Sequence, residues 1–273
     1  MSRIISVPTR FYQQFDADTS LAVPAEGYGG WQIESLPLDL DHTALIVMHA
    51  WSIGAEQDFP GWYRAVESIS RVGVTSGGMA PVLSAARAAQ IPVIHVVGGP
   101  TDYWTGEPGH APSEVRPEPQ IPRDEQGVAA ELIRFHEDRV FPGKHNSADV
   151  DAGFEKVTFA PSLRPIEGER IAATSQELDE ICRERAIEHL VYTGFTINGC
   201  IMFSPAGMVD MGRRGYLCST IDEAVTAIEN RETAAAESAK ALELWRVALL
   251  FGYVYSAGDL LAALDLPPTV LNS

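Results

Sequence analysis

The chain has 273 residues, which is long enough to bury a full core in one α/β domain. Its formal net charge is −17 and its sequence pI is about 4.7. Such an acidic balance argues against nucleic acid or an anionic membrane as a partner. We therefore expect no nucleic acid and no membrane among the partners.

Cysteine usage and the N-terminal sequence bear on the compartment. The three cysteines form no tight spacing, and this pattern suits a reducing compartment without a disulfide framework. The first twenty residues lack the apolar segment of a secretory signal, and no run of eighteen apolar residues occurs. We therefore expect a cytoplasmic protein.

Residues 1–40 differ in composition from the rest of the chain. They are rich in proline, glycine and aromatic side chains, and they show no sustained period. Because so many aromatic residues are unusual in a disordered tail, we expect an ordered N-terminal arm that lies on the domain or on a neighbouring subunit. Residues 41–273 contain no repeat, low-complexity tract or linker, so we expect them to form one domain.

Strands and helices alternate in the first half of this domain. Residues 43–49, TALIVMH, form a continuous apolar run of the kind that is buried on both faces of a parallel sheet. Residues 79–90 predict a helix, in which Pro81 is tolerable only in the first turn. The strand IPVIHVVGG follows, with His95 as a packed core histidine. The proline-rich residues 98–126 predict a functional lid or a subunit contact.

The second half of the domain continues the alternation. We expect a sheet element near residues 139–141 and a helix over 174–186 that opens with a capping box of Thr174 and Glu177. We expect a strand over 216–220, then a helix over 231–251, the short segment YVYS, and a helix that begins at Ser256. This order predicts a single-domain, doubly wound, mostly parallel sheet with helices on both faces.

The stretch HLVYTGFTINGC, residues 189–200, joins an apolar strand that ends at Gly194 to a cysteine six residues further on. In an open α/β sheet, ligands collect at the carboxyl ends of strands, where the next helix presents unpaired N–H groups. Cys200 is therefore a candidate nucleophile, although most free cysteines are small buried hydrophobes. We expect the next helix to reach Gly215, with Pro205 either kinking it or opening a fresh helix.

The run GFTINGC resembles the nucleophile turn of the isochorismatase-like cysteine hydrolases, in which a glycine, a hydrophobic residue, a small residue and a threonine precede the cysteine. Thr196 fills the small site, and Ile197 stands where the family has threonine. The continuation IMFSPAGMVDMGRRGYLCSTIDEAVTA also follows the family pattern, and the resemblance spans roughly residues 43–263. It implies the isochorismatase-like fold and hydrolysis of a small amide or carbamoyl C–N bond through an acyl-enzyme on Cys200.

The same resemblance implies the other site residues. The family lysine is best matched by Lys144 in VFPGKHNSA. A cis peptide is implied between Phe195 and Thr196, with the N–H groups of Thr196 and Cys200 in the oxyanion hole. The family aspartate has no match: where the family reads ALLVIDMQ, this chain reads ALIVMHAW, so His49 holds its position. A histidine can itself exchange a proton with a catalytic cysteine.

The sequence also allows expectations about the substrate pocket, the oligomeric state and the cofactors. The loops around Trp51, Tyr103 and Trp104 are expected to line the substrate pocket, and the family resemblance suggests a homo-oligomer. No Asp-x-His motif occurs, so we expect no metal and no other cofactor.

One alternative is a relative that has lost turnover, marked by His49, and binds a small ligand or a partner protein. A second alternative is isochorismate hydrolysis at a vinyl ether, which family members perform without the cysteine; the presence of Cys200 counts against it.

Overall fold

A computed structural model describes residues 2–69, 72–99, 101–111, 127–265 and 269–271 of the chain. Its strands are, in chain order, β1 (Ser2–Gln13), β2 (Gly30–Asp39), β3 (Thr43–Met48), β4 (Trp51–Ser52), β5 (Val93–Val96), β6 (Thr158–Phe159), β7 (Arg170–Ala172), β8 (His189–Phe195), β9 (Leu217–Thr226), β10 (Val254–Tyr255) and β11 (Thr269–Leu271).

The helices alternate with these strands over most of the chain. They are α1 (Pro60–Trp62), α2 (Val72–Ala88), α3 (Val128–Glu137), α4 (Ser147–Phe154), α5 (Ser175–Glu184), α6 (Cys200–Phe203), α7 (Met208–Arg213), α8 (Ser238–Leu250) and α9 (Ala257–Leu264). A π-helical turn, Tyr63–Glu67, directly follows α1, and short 3-10 turns lie at Pro24–Gly27, Thr101–Trp104 and Pro161–Leu163. In the described part of the chain, none of the helices is long and apolar enough to cross a bilayer.

One large sheet organises the fold. Its strand order is β11-β1-β10-β9-β8-β3-β5-β7, with β2 also paired to β1, while β4 and β6 form a separate two-stranded ribbon. Among the described strands of this large sheet, the pairs from β10 through β7 are all parallel, and the pairs made by β1 are antiparallel. This is the mostly parallel, doubly wound sheet that the alternation of elements predicts.

The central strands are buried on both faces. In β3, Ala44, Ile46 and Met48 face a core formed with α5, α6, α7 and α8, whereas Leu45 and Val47 face a second core formed with α2 and α9. Because successive side chains of a strand point to opposite faces, a strand that is covered by helices on both sides must be apolar at every position. The continuous apolar run at residues 43–49 therefore follows from the position of β3 in the middle of the sheet.

The N-terminal residues form a long β-hairpin. Strands β1 and β2 pair antiparallel from Ile4 with Asp39 to Gln13 with Gly30. The other edge of β1 pairs with β11 over residues 2–4 and with β10 over residues 9–10. The N-terminal arm expected from its aromatic residues is therefore continuous with the main sheet.

Several local predictions agree with the structure. Helix α5 begins with the predicted capping box, in which the Thr174 side chain accepts from the Glu177 N–H and the Glu177 carboxylate accepts from the Thr174 N–H. Helix α9 begins after Ser256, whose side chain caps the N–H of Asp259. These signals succeed because a capping box depends on residues only three positions apart. His95 is fully buried, as expected for a core histidine.

Other local predictions are wrong. Residues 139–141 form no strand and lie in the turn after α3. Helix α2 begins at Val72, seven residues before the predicted start, so Pro81 lies inside the helix rather than in its first turn. Helix α8 begins at Ser238, because residues 231–237 form turns. Of the segment 98–126, residues 112–126 lie outside the described residues, and the expectation of a lid there stays a prediction.

Candidate functional site

The carboxyl ends of β3 and β8 meet at one edge of the sheet. The two strands run parallel and pair from Thr43 with His189 to Met48 with Gly194. Gly194 has a positive φ of 113°, and a Cβ at this position would collide with the Met48 carbonyl. Glycine is therefore required for the strands to approach this closely. The register places His49, directly after β3, beside the turn that follows β8.

The turn from Phe195 to Cys200 is tied to the sheet through its backbone. The peptide between Phe195 and Thr196 is cis, and the Ile197 N–H donates to the Thr226 carbonyl at 2.7 Å. The Thr196 carbonyl accepts from the N–H groups of Gly199 and Ile201, both at 3.0 Å. Among the described residues, no hydrogen bond is donated by the Thr196 or Cys200 N–H. The described backbone hydrogen bonds therefore leave two donors of this turn unused.

The departure at position 197 has a packing explanation. The Ile197 side chain is completely buried in the core beneath the turn, beside Ile201. An apolar side chain is suited to that position, whereas a threonine hydroxyl there would need its own hydrogen-bond partner. The substitution of isoleucine for the family threonine therefore alters the core, whereas Cys200 stays partly exposed.

Cys200 is the accessible cysteine of the three. It is partly exposed, whereas Cys182 and Cys218 are both fully buried, and burial raises the pKa of each of those two thiols to about 12. Helix α6, which begins at Cys200, has only one turn, because Ser204 is extended and a new helix begins only at Met208. The continuous helix expected up to Gly215 is therefore interrupted. A one-turn helix contributes little dipole at Cys200.

His49 is held by stacking. Its backbone is left-handed, with φ of 52°, and its imidazole lies on the indole of Trp51 with ring centroids 4.4 Å apart and an interplanar angle of 17°. The side chain is only 7% exposed, and the buried Nδ1 has no hydrogen-bond partner among the described residues. Burial lowers the pKa of His49 to about 4, so the imidazole is neutral at pH 7.

His49, Thr196 and Cys200 line a common pocket of about 250 Å³. The rest of its wall is almost entirely apolar and consists of Trp51, Trp62, Ala65, Val66, Ile69, Phe141, Phe154, Phe195 and Ile228, together with Glu67. An apolar cavity with few polar groups is the usual arrangement of a small-molecule site.

Three residues that the sequence assigns to the site are not among the residues that line this pocket. Lys144 is exposed in the turn between α3 and α4 and is not part of the pocket wall. The Tyr103 hydroxyl donates to the Val157 carbonyl at 2.8 Å, and Trp104 is buried against Phe159 with its indole N–H donating to the Gly98 carbonyl. Tyr103 and Trp104 therefore pack the 3-10 turn onto β6, while Trp51 does line the pocket.

The sequence reading missed Glu67, Phe141, Phe154 and Ile228 as pocket residues. Glu67 is the last residue of the π-helical turn, whose altered register changes which side chains face inward. The aromatic residues at 51–63 do indicate part of the pocket wall in the sequence, since this loop contributes Trp51 and Trp62 to the wall. Within the described residues, no cluster of three or more His, Cys, Asp or Glu side chains could hold a metal ion.

Comparisons with known proteins concern the family and the fold of the chain. The isochorismatase domain family model matches residues 62–257. A cysteine hydrolase from Pseudomonas syringae pv. phaseolicola has a similar structure, with a TM-score of 0.54 and 18% identity over 84% of this chain and 95% of that chain. At this level of identity, the likeness concerns the fold. Among curated proteins, no sequence matches this chain.

Two further solved structures show weaker likeness. An isochorismatase from Pseudomonas putida KT2440 has a TM-score of 0.48 and 18% identity, over 81% of this chain and 91% of that chain. An N-carbamoylsarcosine amidase from Thermoplasma acidophilum has a TM-score of 0.42 and 16% identity, over 79% of this chain and 96% of that chain.

Proposed function

The chain belongs to the isochorismatase family, whose members are hydrolases, and we propose that it is a cysteine-dependent hydrolase of a small amide or carbamoyl C–N bond. The observation that carries this proposal is the shared pocket of an accessible thiol, Cys200, and a neutral imidazole, His49. A thiol, a proton acceptor and backbone donors are the parts that acyl transfer by cysteine requires.

In the proposed first step, the Cys200 sulfur bonds to the substrate carbonyl carbon as the thiol proton passes to His49. The carbonyl π electrons move to the oxygen, and the resulting oxyanion accepts from the free N–H groups of Thr196 and Cys200. Collapse of this intermediate breaks the C–N bond, and the imidazolium returns the proton to the leaving nitrogen. The products of this half-reaction are an amine or ammonia and a thioester on Cys200.

In the second step, water attacks the thioester carbonyl. His49 accepts a proton from the water and returns it to the Cys200 sulfur as the C–S bond breaks, so the free acid leaves and the enzyme is restored. Because the pKa of His49 is about 4, its proton affinity is low, and the imidazolium forms only transiently.

We propose that Lys144 supports the site with its positive charge, as the family resemblance implies. Lys144 lies in the turn that brings Phe141 into the pocket wall, although its own side chain is exposed. The variant Lys144→Met removes the charge and keeps the stem. A loss of kcat/KM of at least about tenfold supports the role, whereas turnover equal to that of the wild type removes Lys144 from the site.

The decisive experiment is intact-mass analysis of the protein after incubation with a panel of small amides and carbamoyl compounds. We expect a transient mass increase equal to the acyl group, located on Cys200 by peptide mapping and absent from Cys200→Ala. Cys218→Ala is the matched control, because that cysteine is buried away from the pocket. Absence of both adduct and product across the panel contradicts the hydrolase.

One observation favours a second candidate, a relative that binds its ligand without turnover. The imidazole of His49 has no carboxylate partner, so nothing in the described residues stabilises its protonated form. If the same amides bind to the wild type and to Cys200→Ala with equal affinity, and no product or adduct forms, this second candidate replaces the hydrolase.

The assembly and location of the protein also belong to this proposal. We propose a homo-oligomer, which is supported by an apolar stripe on α3 that consists of Val128, Leu132 and Phe135, exposed by 72%, 64% and 59%. Light scattering at micromolar concentration tests it, and a monomer mass contradicts it. The three free cysteines support a cytoplasmic location, since an oxidising compartment favours disulfides.

A further inference from the structure

Glu67 places an acidic group in a wall that is otherwise apolar or neutral. Among the described residues that line the pocket, no lysine or arginine accompanies it. Among the described residues, the cations closest to this wall along the chain are Arg64, Arg139 and Lys156, which are exposed and lie outside the lining. The pocket therefore has a local negative charge whenever Glu67 is ionised.

Among the described residues, the carboxyl group of Glu67 has little compensation. Its hydrogen-bond partner is the Trp62 indole N–H, which donates to Oε1 across a long 3.4 Å. Burial raises the pKa of Glu67 above its ordinary value, and the Trp62 hydrogen bond opposes that rise only in part. A carboxylate in apolar surroundings is costly unless it is paired, and a cationic ligand would supply the missing partner.

Aromatic rings surround the same space. The Trp62 and Phe154 rings meet edge to face with centroids 5.0 Å apart, and the Trp51 and Phe154 rings do so at 5.9 Å. The faces of such rings attract cations, and tryptophan does so most strongly. A group of aromatic rings beside a single carboxylate is a suitable environment for an alkylammonium ion, and both features disfavour an anion.

We propose that the pocket selects amide substrates that carry an alkylammonium group, which Glu67 and the rings of Trp51, Trp62 and Phe154 recognise. The inference rests on the proposed function, because the ammonium group belongs to a molecule whose carbonyl reaches Cys200 in the same cavity. The volume of about 250 Å³ suits a small compound, since one water occupies about 30 Å³ in the liquid.

Three matched amides separate charge from shape. 4-(Trimethylammonio)butanamide carries the cation, 5,5-dimethylhexanamide replaces the quaternary nitrogen by carbon, and 4-carbamoylbutanoate carries an anion at the same end. Binding is measured by calorimetry on Cys200→Ala, which cannot form an acyl-enzyme, and turnover is measured separately on the wild type by product formation. We expect the cationic amide to bind at least about tenfold more tightly than its neutral isostere, and the anionic amide to bind most weakly.

The variant Glu67→Gln, combined with Cys200→Ala for the binding measurement, tests the assigned residue. It removes the charge and keeps the shape and an acceptor for the Trp62 N–H. We expect affinity for the cationic amide to fall at least about tenfold, while affinity for the neutral amide changes less than about threefold. Glu155→Gln is the matched control: it makes the same change in net charge at an exposed position outside the pocket wall, so it should leave both affinities unchanged.

The outcomes separate this inference from the proposed function. Charge-selective, Glu67-dependent binding without turnover upholds the inference and contradicts the hydrolase. Turnover of the amides without preference for the cation contradicts the inference and leaves the hydrolase standing. Equal affinity for the cationic and neutral amides, an equal loss of affinity in Glu155→Gln, or no binding of any of the three overturns the recognition of an ammonium group by Glu67.

Discussion

The imidazole of His49 lies flat on the indole of Trp51, with ring centroids 4.4 Å apart. Stacking, and not a hydrogen bond, therefore holds the ring at the end of β3, because the buried Nδ1 has no partner in the described part of the chain. A histidine oriented in this way can accept a proton, but it lacks a neighbouring carboxylate to stabilise the imidazolium that results. In the hydrolase that we propose, the reactivity of Cys200 depends on the transfer of its proton to this histidine.

The first prediction concerns this base. We expect His49→Asn to lower kcat/KM by at least about a hundredfold on the best amide found, because a general base is removed. Asparagine is the suitable replacement, since it tolerates the left-handed backbone at φ of 52° better than alanine. His145→Asn is the matched control, because His145 is exposed and lies outside the pocket wall. Equal turnover of His49→Asn and the wild type would end the catalytic role of His49.

A second prediction concerns thiol reactivity. Brief treatment of the native protein with iodoacetamide should label Cys200 at least about tenfold faster than Cys182 or Cys218, because both of those thiols are buried and their pKa values are raised to about 12. Peptide mapping by mass spectrometry measures the three rates. In urea all three cysteines should react alike, which controls for peptide recovery. Faster native labelling of either buried cysteine contradicts the assignment of Cys200.

The parts of the fold that the sequence reveals are those with local causes. The apolar run of β3 and the capping box at Thr174 depend on neighbouring residues, and both agree with the structure. The hairpin of β1 and β2 escaped prediction because its strands contain Pro8 and Pro37, and a proline within a run argues against a strand. Pro8 falls between the residues of β1 that pair with β11 and those that pair with β10.

The residues of the candidate site also differ in whether the sequence could reveal them. His49 and Cys200 could be placed together because both follow strands that run parallel and adjacent in the sheet. Glu67 could not be placed, since its direction depends on the π-helical register of the turn after α1. Glu169 was likewise missed: it lies 74 residues from His95, and only the folded chain brings these two side chains to 2.8 Å.

The pairing of Glu169 gives a third prediction. Burial opposes ionisation of this carboxyl, but hydrogen bonds from His95 and Arg87 hold its pKa down to about 2. We expect Glu169→Gln to lower the free energy of unfolding by about 3 kcal/mol, because it leaves the Arg87 charge unpaired beside a buried histidine. The control Glu184→Gln, at an exposed ion pair with Arg170, should cost less than about 1 kcal/mol. Urea unfolding at pH 7 measures the stability of both variants. Equal losses of stability in Glu169→Gln and Glu184→Gln would contradict a stabilising role of the buried network around Glu169.

A fourth prediction concerns acid stability. Burial lowers the pKa of His189 to about 4, below its unfolded value near 6.5. Between these two values the unfolded chain binds the additional proton, so stability falls as the pH is lowered from about 6.5 toward 4, by at most about 1.4 kcal/mol per pH unit for this group. We therefore expect His189→Gln to lose less stability between pH 7 and pH 5 than the wild type does, as measured by urea unfolding at both values.

The control for His189 has the opposite sign. The hydrogen bond that His42 donates to the Asp39 carboxylate raises the pKa of His42, so the contribution of His42 to stability is present at low pH and is lost as the pH rises through the folded pKa. His42→Gln should therefore steepen the loss of stability in acid, whereas His189→Gln should flatten it. If both variants lose stability between pH 7 and pH 5 to the same extent as the wild type, neither histidine contributes to the acid sensitivity.

The last prediction tests whether Glu67 costs the protein stability. Burial raises the pKa of Glu67, so between the unfolded and folded values the folded state binds the additional proton, and stability falls as the pH rises through this range. Above it, the folded protein holds a carboxylate whose described contact is the Trp62 indole. We therefore expect Glu67→Gln to be more stable than the wild type at pH 7.5, by about 1 kcal/mol, and to lose this advantage below the unfolded pKa near 4.5.

Glu155→Gln, at an exposed position, should show no such pH-dependent gain. Unfolding free energies of the three proteins at pH 4.5 and pH 7.5 measure the difference. If Glu67→Gln is less stable than the wild type at pH 7.5, Glu67 stabilises the fold, which contradicts the interpretation that it is retained to bind a ligand.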